Sequence, residues 1–176
     1  MVKLHKLKRS LWYWIPILQS IAPSLALYYR RMRRAPHQES YSALAYISSE
    51  PDQLFLDVGA NKGQSIESIR LFKPQNPIIS FEPNPTLAEI LKGRYAKSNN
   101  QKIEPFGLGE KPGRFRLFVP AYGGIEYDAR ASLDQANAER LLNKKLVYAF
   151  DERKANVHVY DCQIRSLDSL NLKPFF

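Results

Sequence analysis

A chain of 176 residues, 44% of them hydrophobic, is long enough for one domain with a buried core and too apolar for a disordered tail. Eight glycines and 12 prolines are too few for a fibrous repeat. The net charge of +9 suggests a nucleic-acid binder, but eight of the 26 basic residues lie within 1–34, which hold no acid, and the other 18 nearly balance 17 acids.

The globular part is therefore almost neutral, which argues against nucleic acid as its partner. The single cysteine, Cys162, cannot form an internal disulfide, so a reducing compartment, the cytoplasm, is expected. With His5, His37 and His158 far apart in sequence, no metal-ligand cluster is expected.

Residues 1–50 form a basic, aromatic-rich helical arm and 51–176 the globular domain. Within the arm, residues 11–29 carry no charge over 19 positions, close to the length that crosses a bilayer. Pro16, Gln19, Ser20, Pro23 and Ser24 interrupt that stretch. Equal basic clusters on its two sides give no orientation. Helices packed on the domain or a partner are the leading reading. An interfacial membrane contact through residues 1–34, with aromatics flanked by Lys and Arg, is second, and a true span third.

From residue 38 onward, helical and strand patterns alternate. Tyr41, Leu44, Ala45 and Ile47 have helical spacing up to Pro51. Residues 54–58 are a short apolar run of the buried parallel-strand kind, and a glycine turn leads into a helix with Ile66, Ile69 and Phe72 on one face. Residues 77–81 are a second strand. Asn84 as N-cap and Pro85 as first helical residue open a second helix, with Leu87, Ile90, Leu91 and Tyr95 as its buried stripe. Residues 102–106 and 114–119 read as strands, 121–133 as a loop containing Gly123 and Gly124, and 134–146 as a helix. Residues 157–164 read as a half-buried strand in which Val157 and Val159 alternate with His158 and Tyr160.

The chemistry gathers at the ends of the first two strands, where an open α/β sheet places its ligand. In the turn 57–63, Gly59 and Gly63 let backbone N–H groups approach a ligand at the start of a helix. G-x-G-x-x-G is missing, and Asp57 would face a pyrophosphate unfavourably. A cofactor with one carboxylate and a positive centre fits better, the turn taking the carboxylate and the acid favouring ammonium and sulfonium. S-adenosylmethionine answers that description. Glu82 closes the second strand and is placed to accept hydrogen bonds from two adjacent ribose hydroxyls.

Five stretches then line up: Phe55-Leu56-Asp57-Val58-Gly59-Ala60-Asn61-Lys62-Gly63-Gln64, Ile79-Ser80-Phe81-Glu82-Pro83-Asn84-Pro85, Gly107-Leu108-Gly109-Glu110-Lys111-Pro112-Gly113, Ser132-Leu133 and Arg165-Ser166-Leu167-Asp168-Ser169-Leu170. From about residue 52 onward they resemble the landmarks of the FkbM-type methyltransferases. The resemblance implies an α/β fold with a Rossmann-like class I methyltransferase sheet and S-adenosylmethionine-dependent O-methylation of a hydroxyl on a sugar or secondary metabolite. The cofactor set is Asp57, Gly59, Ala60, Asn61, Gly63 and Glu82, with Asp57, Gly59, Asn61 and Gly63 at the methionine part and residues 106–108 near the adenine.

Family members follow the Leu-Asp-Ser-Leu stretch with a strand of the form I-K-I-D-V-E-G beside the first strand. Here Lys173-Pro174-Phe175-Phe176 closes the chain where that strand would begin. The expectation is an incomplete sheet lacking its C-terminal strands, with the first strand unpaired along one edge. A truncated or inactive copy, a subunit needing a completing partner chain, and a nucleic-acid methyltransferase using the basic arm are the alternatives. No general base is identified, and His158 and Asp161 lie on a peripheral strand. Tyr122, Gly123, Gly124 and Tyr127 are candidates for a substrate lid.

Overall fold

The computed structural model describes residues 32, 33, 35–48, 50, 53–141, 150–170 and 172. The apolar stretch 11–29 and the rest of residues 1–31 of the arm lie outside the described residues. Among the described residues no helix is long and apolar enough to cross a membrane. The chain is mixed α/β, and its described residues divide into two compact units, the larger formed by those up to Phe115 with those from Asp161 onward and the smaller by those within Arg116–Tyr160.

In the larger unit, β1 (Phe55–Val58), β2 (Ile78–Phe81) and β3 (Gln101–Glu104) form a parallel sheet in the order β1-β2-β3. Parallel neighbours need a crossover, and the helices α1 (Gln64–Phe72) and α2 (Pro85–Tyr95) supply it. Register sets Phe55 opposite Ile78 and Asp57 opposite Ser80, and Ser80 opposite Ile103. Side chains alternate across a strand, so these residues share one face. Ile66 and Ile69 of α1 and Leu91 of α2 form a core with Ala60, Ile78 and Ile103, and Tyr41, Leu44, Phe55 and Tyr95 pack against it.

The opposite face of β1 carries Leu56 and Val58, which are 37% and 61% exposed. Among the described residues β1 pairs with β2 alone. A two-residue strand β4 (Gly107–Leu108) runs parallel to the end of a long strand whose residues Ile164 and Arg165 lie opposite it. A short 3-10 helix, Leu167–Leu170, follows.

Three expectations need correcting in this unit. Glu39–Tyr46 is a 3-10 helix rather than an α-helix. Tyr41 and Leu44, three apart, reach the core, while Ile47 is left 46% exposed. Ile90 of α2 is 51% exposed, and Ala88 is buried in its place. The third strand starts and stops earlier, at Gln101 and Glu104.

The Asn84 cap forms as the sequence demands, its side chain accepting from Thr86 N at 3.0 Å and Leu87 N at 3.4 Å, with Pro85 at the first helical position. Asn84→Ala is expected to lower the unfolding free energy by about 1 kcal/mol, read as a shifted urea midpoint with unchanged slope.

The smaller unit contains most of β5 (Gly113–Tyr122), β6 (Ile125–Glu126), α3 (Gln135–Leu141) and the first part of β7 (Ala155–Arg165), in the strand order β7-β5-β6. The stretch expected to be a loop at 121–133 contains a hairpin, with Tyr122 opposite Ile125. Gly123 and Gly124 have φ of 59° and 82°, the pair of positive values that a two-residue turn matching strand twist requires. The ring of Tyr122 stacks on Phe150 at 5.2 Å and its hydroxyl accepts from Asp151 N at 3.0 Å, so Tyr122 holds the hairpin and is not an exposed lid residue. The expected helix 134–146 is described only as Gln135–Leu141, and 142–149 lie outside the described residues.

The expected inward face of β7 is reversed at Val159, which is 50% exposed. His158 and Tyr160 point instead to Glu126, whose Oε1 lies 2.5 Å from His158 Nδ1 and accepts from Tyr160 Oη at 2.5 Å.

Candidate functional site

The residues singled out at the ends of β1 and β2 come together in the larger unit. Gly59 N and Ala60 N both donate to Phe81 O, at 2.9 and 3.1 Å, so the ladder between β1 and β2 continues into the turn. The chain then reverses through Gly59 (φ 84°), Asn61 (φ 50°) and Gly63 (φ 88°). Nothing lies within 4 Å of where a Cβ of Gly59 would stand, so the backbone there is open to a ligand.

Glu82 ties the two strand ends to each other. Its Oε2 accepts from Asn61 N at 2.6 Å and its Oε1 from Asn84 N at 2.8 Å. The carboxylate is only 5% exposed.

Asp57 is buried beside it in the sequence of strand ends, 7% exposed. Its Oδ2 accepts from Ser65 Oγ at 3.0 Å and from Ser80 Oγ at 2.9 Å. Gln101 Nε2 in turn donates to Ser80 Oγ at 3.1 Å, so a chain of side chains from β3, β2 and α1 fixes this carboxylate. Among the described residues Oδ1 has no partner. Burial pushes the Asp57 carboxyl above its ordinary value, against the opposing pull of the two serine hydroxyls. The phenol of Tyr41 is raised as well, first by burial and then by the charge of Asp57.

One part of the sequence expectation does not hold. The N–H groups of the turn are not free for a carboxylate: those of Gly59 and Ala60 go to Phe81 O, Asn61 to Glu82, Lys62 to Asn61 Oδ1 and Gly63 to Ala60 O. The glycines shape the turn instead of donating from it. Donors are found one residue further on, where Gly63 as N-cap supplies no side-chain acceptor to the start of α1.

Ser65 and Ser80 were not candidates, yet they orient Asp57. Strand parity was the available signal for Ser80, since it lies two residues before Glu82 and opposite Asp57. Of the residues expected near an adenine, Phe106 is buried, with its ring centroid 5.6 Å from that of Phe81 and the Arg165 guanidinium 4.8 Å from it. Among the described residues no group of three or more His, Cys, Asp and Glu is arranged to hold a metal ion.

No protein-family model, curated protein or solved structure matches the chain.

Proposed function

We propose that the larger unit is a Rossmann-like, class I fold of the FkbM type that binds S-adenosylmethionine, and that the chain methylates a hydroxyl of a glycan or other small molecule. The observation that carries this reading is the state of Asp57. A carboxylate is kept buried against its desolvation penalty, one oxygen fixed by two serine hydroxyls and the other without a partner among the described residues. A site built at such a cost to the fold suits a cation, here the ammonium of the methionine moiety.

The remaining parts fit the same cofactor. Glu82 stands at the end of β2, where a ribose would lie, Gly59 leaves room for close approach, and the N–H groups opening α1 would take the methionine carboxylate. Bound cofactor supplies a methyl group already activated by its sulfonium. The protein's own task is to hold it and an acceptor oxygen in line and away from water.

Asp57→Asn is expected to separate function from stability. A carboxylate raised in the folded state binds its proton more tightly there than in the unfolded chain. Its contribution to stability is therefore present in acid and lost as pH rises through the folded value. At neutral pH the amide removes that loss, so the variant should have a higher urea midpoint than wild type and a flatter stability profile between about pH 4 and 7. Over the same range calorimetry should show saturable S-adenosylmethionine binding by the wild-type chain and at least about tenfold weaker binding by Asp57→Asn. A folded wild-type chain that releases or absorbs no binding heat and shows no competition with a second ligand rejects the reading.

Among the described residues one edge of β1 is unpaired, and with the exposed Leu56 and Val58 this favours a second reading, a subunit whose sheet is completed by a partner chain. It expects the chain alone to bind a hydrophobic dye and to melt without a cooperative transition. A single cooperative urea transition of the isolated chain rejects it.

A further inference from the structure

A cavity of about 180 Å³ lies within the larger unit, on the face of the sheet turned away from α1 and α2. Ile79 and Phe81 of β2 and Lys102 and Glu104 of β3 form one wall, and Arg165, Ser169, Leu170 and Leu172 the other. Its charges do not cancel. Lys102 Nζ lies 2.6 Å from Glu104 Oε1, so those two neutralise one another. The Arg165 guanidinium is stacked over the Phe106 ring, 4.8 Å from its centroid. Among the described residues it has no carboxylate within ion-pair distance and no hydrogen-bond acceptor.

A stacked guanidinium keeps its in-plane N–H fork free, and that planar fork matches the oxygens of a carboxylate or phosphate. Apart from Ser169, the remaining lining residues are apolar, with Ile79, Phe81, Leu170 and Leu172 offering surface to a hydrocarbon body. The volume sets the scale, since a closed apolar cavity of about 150 Å³ takes benzene. We propose that this cavity binds a small organic anion, one carboxylate or phosphate on a body about the size of a single ring, with the anion on Arg165 and the body against Ile79, Phe81 and Leu170. Neither Asp57 nor Glu82 lines this cavity, and its existence does not depend on methyl transfer.

The test is calorimetric titration of the full chain with phenyl phosphate and, separately, with benzoate. Saturable binding of either is expected, with the tighter of the two identifying the anion. Arg165→Met should weaken it at least tenfold, and Leu170→Trp, which fills the cavity and leaves Arg165 in place, should abolish it. Saturating S-adenosylhomocysteine should leave the affinity unchanged. The proposal is overturned if neither probe binds, if both variants bind as wild type does, or if S-adenosylhomocysteine displaces the probe. Circular dichroism confirms that each variant is folded, and should Arg165→Met fail to fold, Leu170→Trp decides alone.

Discussion

Glu82→Gln is expected to weaken S-adenosylmethionine binding about a hundredfold and to lower the unfolding free energy by roughly 2–3 kcal/mol. Both effects follow from one geometry. The two carboxylate oxygens accept from Asn61 N and Asn84 N, at 2.6 and 2.8 Å, in a site only 5% exposed. Glutamine keeps one oxygen, so its amide nitrogen must face one of two backbone donors, leaving a buried N–H unpaired and two donors opposed.

The affinity loss arises separately. On the proposed reading, two ribose hydroxyls donating to a charged acceptor would contribute about 1.5 kcal/mol each, together roughly 3 kcal/mol or about a hundredfold. The two consequences are told apart by measuring affinity well below the melting temperature, where the variant is almost entirely folded. A purely structural Glu82 would then leave affinity near the wild-type value while the urea midpoint still fell.

Gly63→Val is expected to be the most damaging substitution to the fold among the turn residues, by roughly 2–5 kcal/mol. Gly63 has φ 88°, where a side chain is strained by about 1–2 kcal/mol. A Cβ there would also stand 3.0 Å from Leu91 Cδ2, 3.0 Å from Arg94 Nη1 and 3.3 Å from Tyr95 Oη. Arg94 is at the flexible end of a long side chain, but Leu91 is fully buried and cannot yield without disturbing the core. Overpacking there adds about 1–3 kcal/mol. Gly59→Ala is the matched control, since its φ of 84° carries the same strain with open space around the added methyl. Urea denaturation should therefore place Gly59→Ala about 1–2 kcal/mol below wild type and Gly63→Val well below that.

Much of the sheet that positions the site was legible because its signals are local. Apolar runs at 54–58 and 77–81 became β1 and β2, and Asn84 with Pro85 capped α2 as the chemistry of an N-cap demands. The hairpin at Gly123 and Gly124 was also signalled locally, by two adjacent residues able to take positive φ, but the polar stretch around it reads as a loop. What was not legible depends on contacts between distant segments. The inward face of β7 is set by Glu126, 34 residues from Tyr160, which draws two polar side chains inward and turns Val159 out.

The candidate site shows the same division. Asp57 and Glu82 could be named from their positions at strand ends, whereas the occupation of every turn N–H by Phe81, Glu82, Asn61 and Ala60 depends on how the strands pair. Ser65 and Ser80 are not legible in the sequence because a serine carries no chemical signature until the register sets it beside a carboxylate. On the proposed reading the carboxylate donors lie in the first turn of α1 rather than in the glycine turn, with Asp57 and Glu82 as the proposed cation and ribose ligands.

The most direct measurement is a two-dimensional amide spectrum of the isotopically labelled chain titrated with S-adenosylhomocysteine. Saturable shifts are predicted at residues 57–66, at Glu82 and Asn84 and at residues 106–108, with the Gln64 and Ser65 amides among the largest because they open α1 toward the cofactor's carboxylate. A folded chain whose spectrum does not change, or whose shifts saturate elsewhere and leave Asp57, Gly59, Glu82 and the start of α1 untouched, would contradict the account.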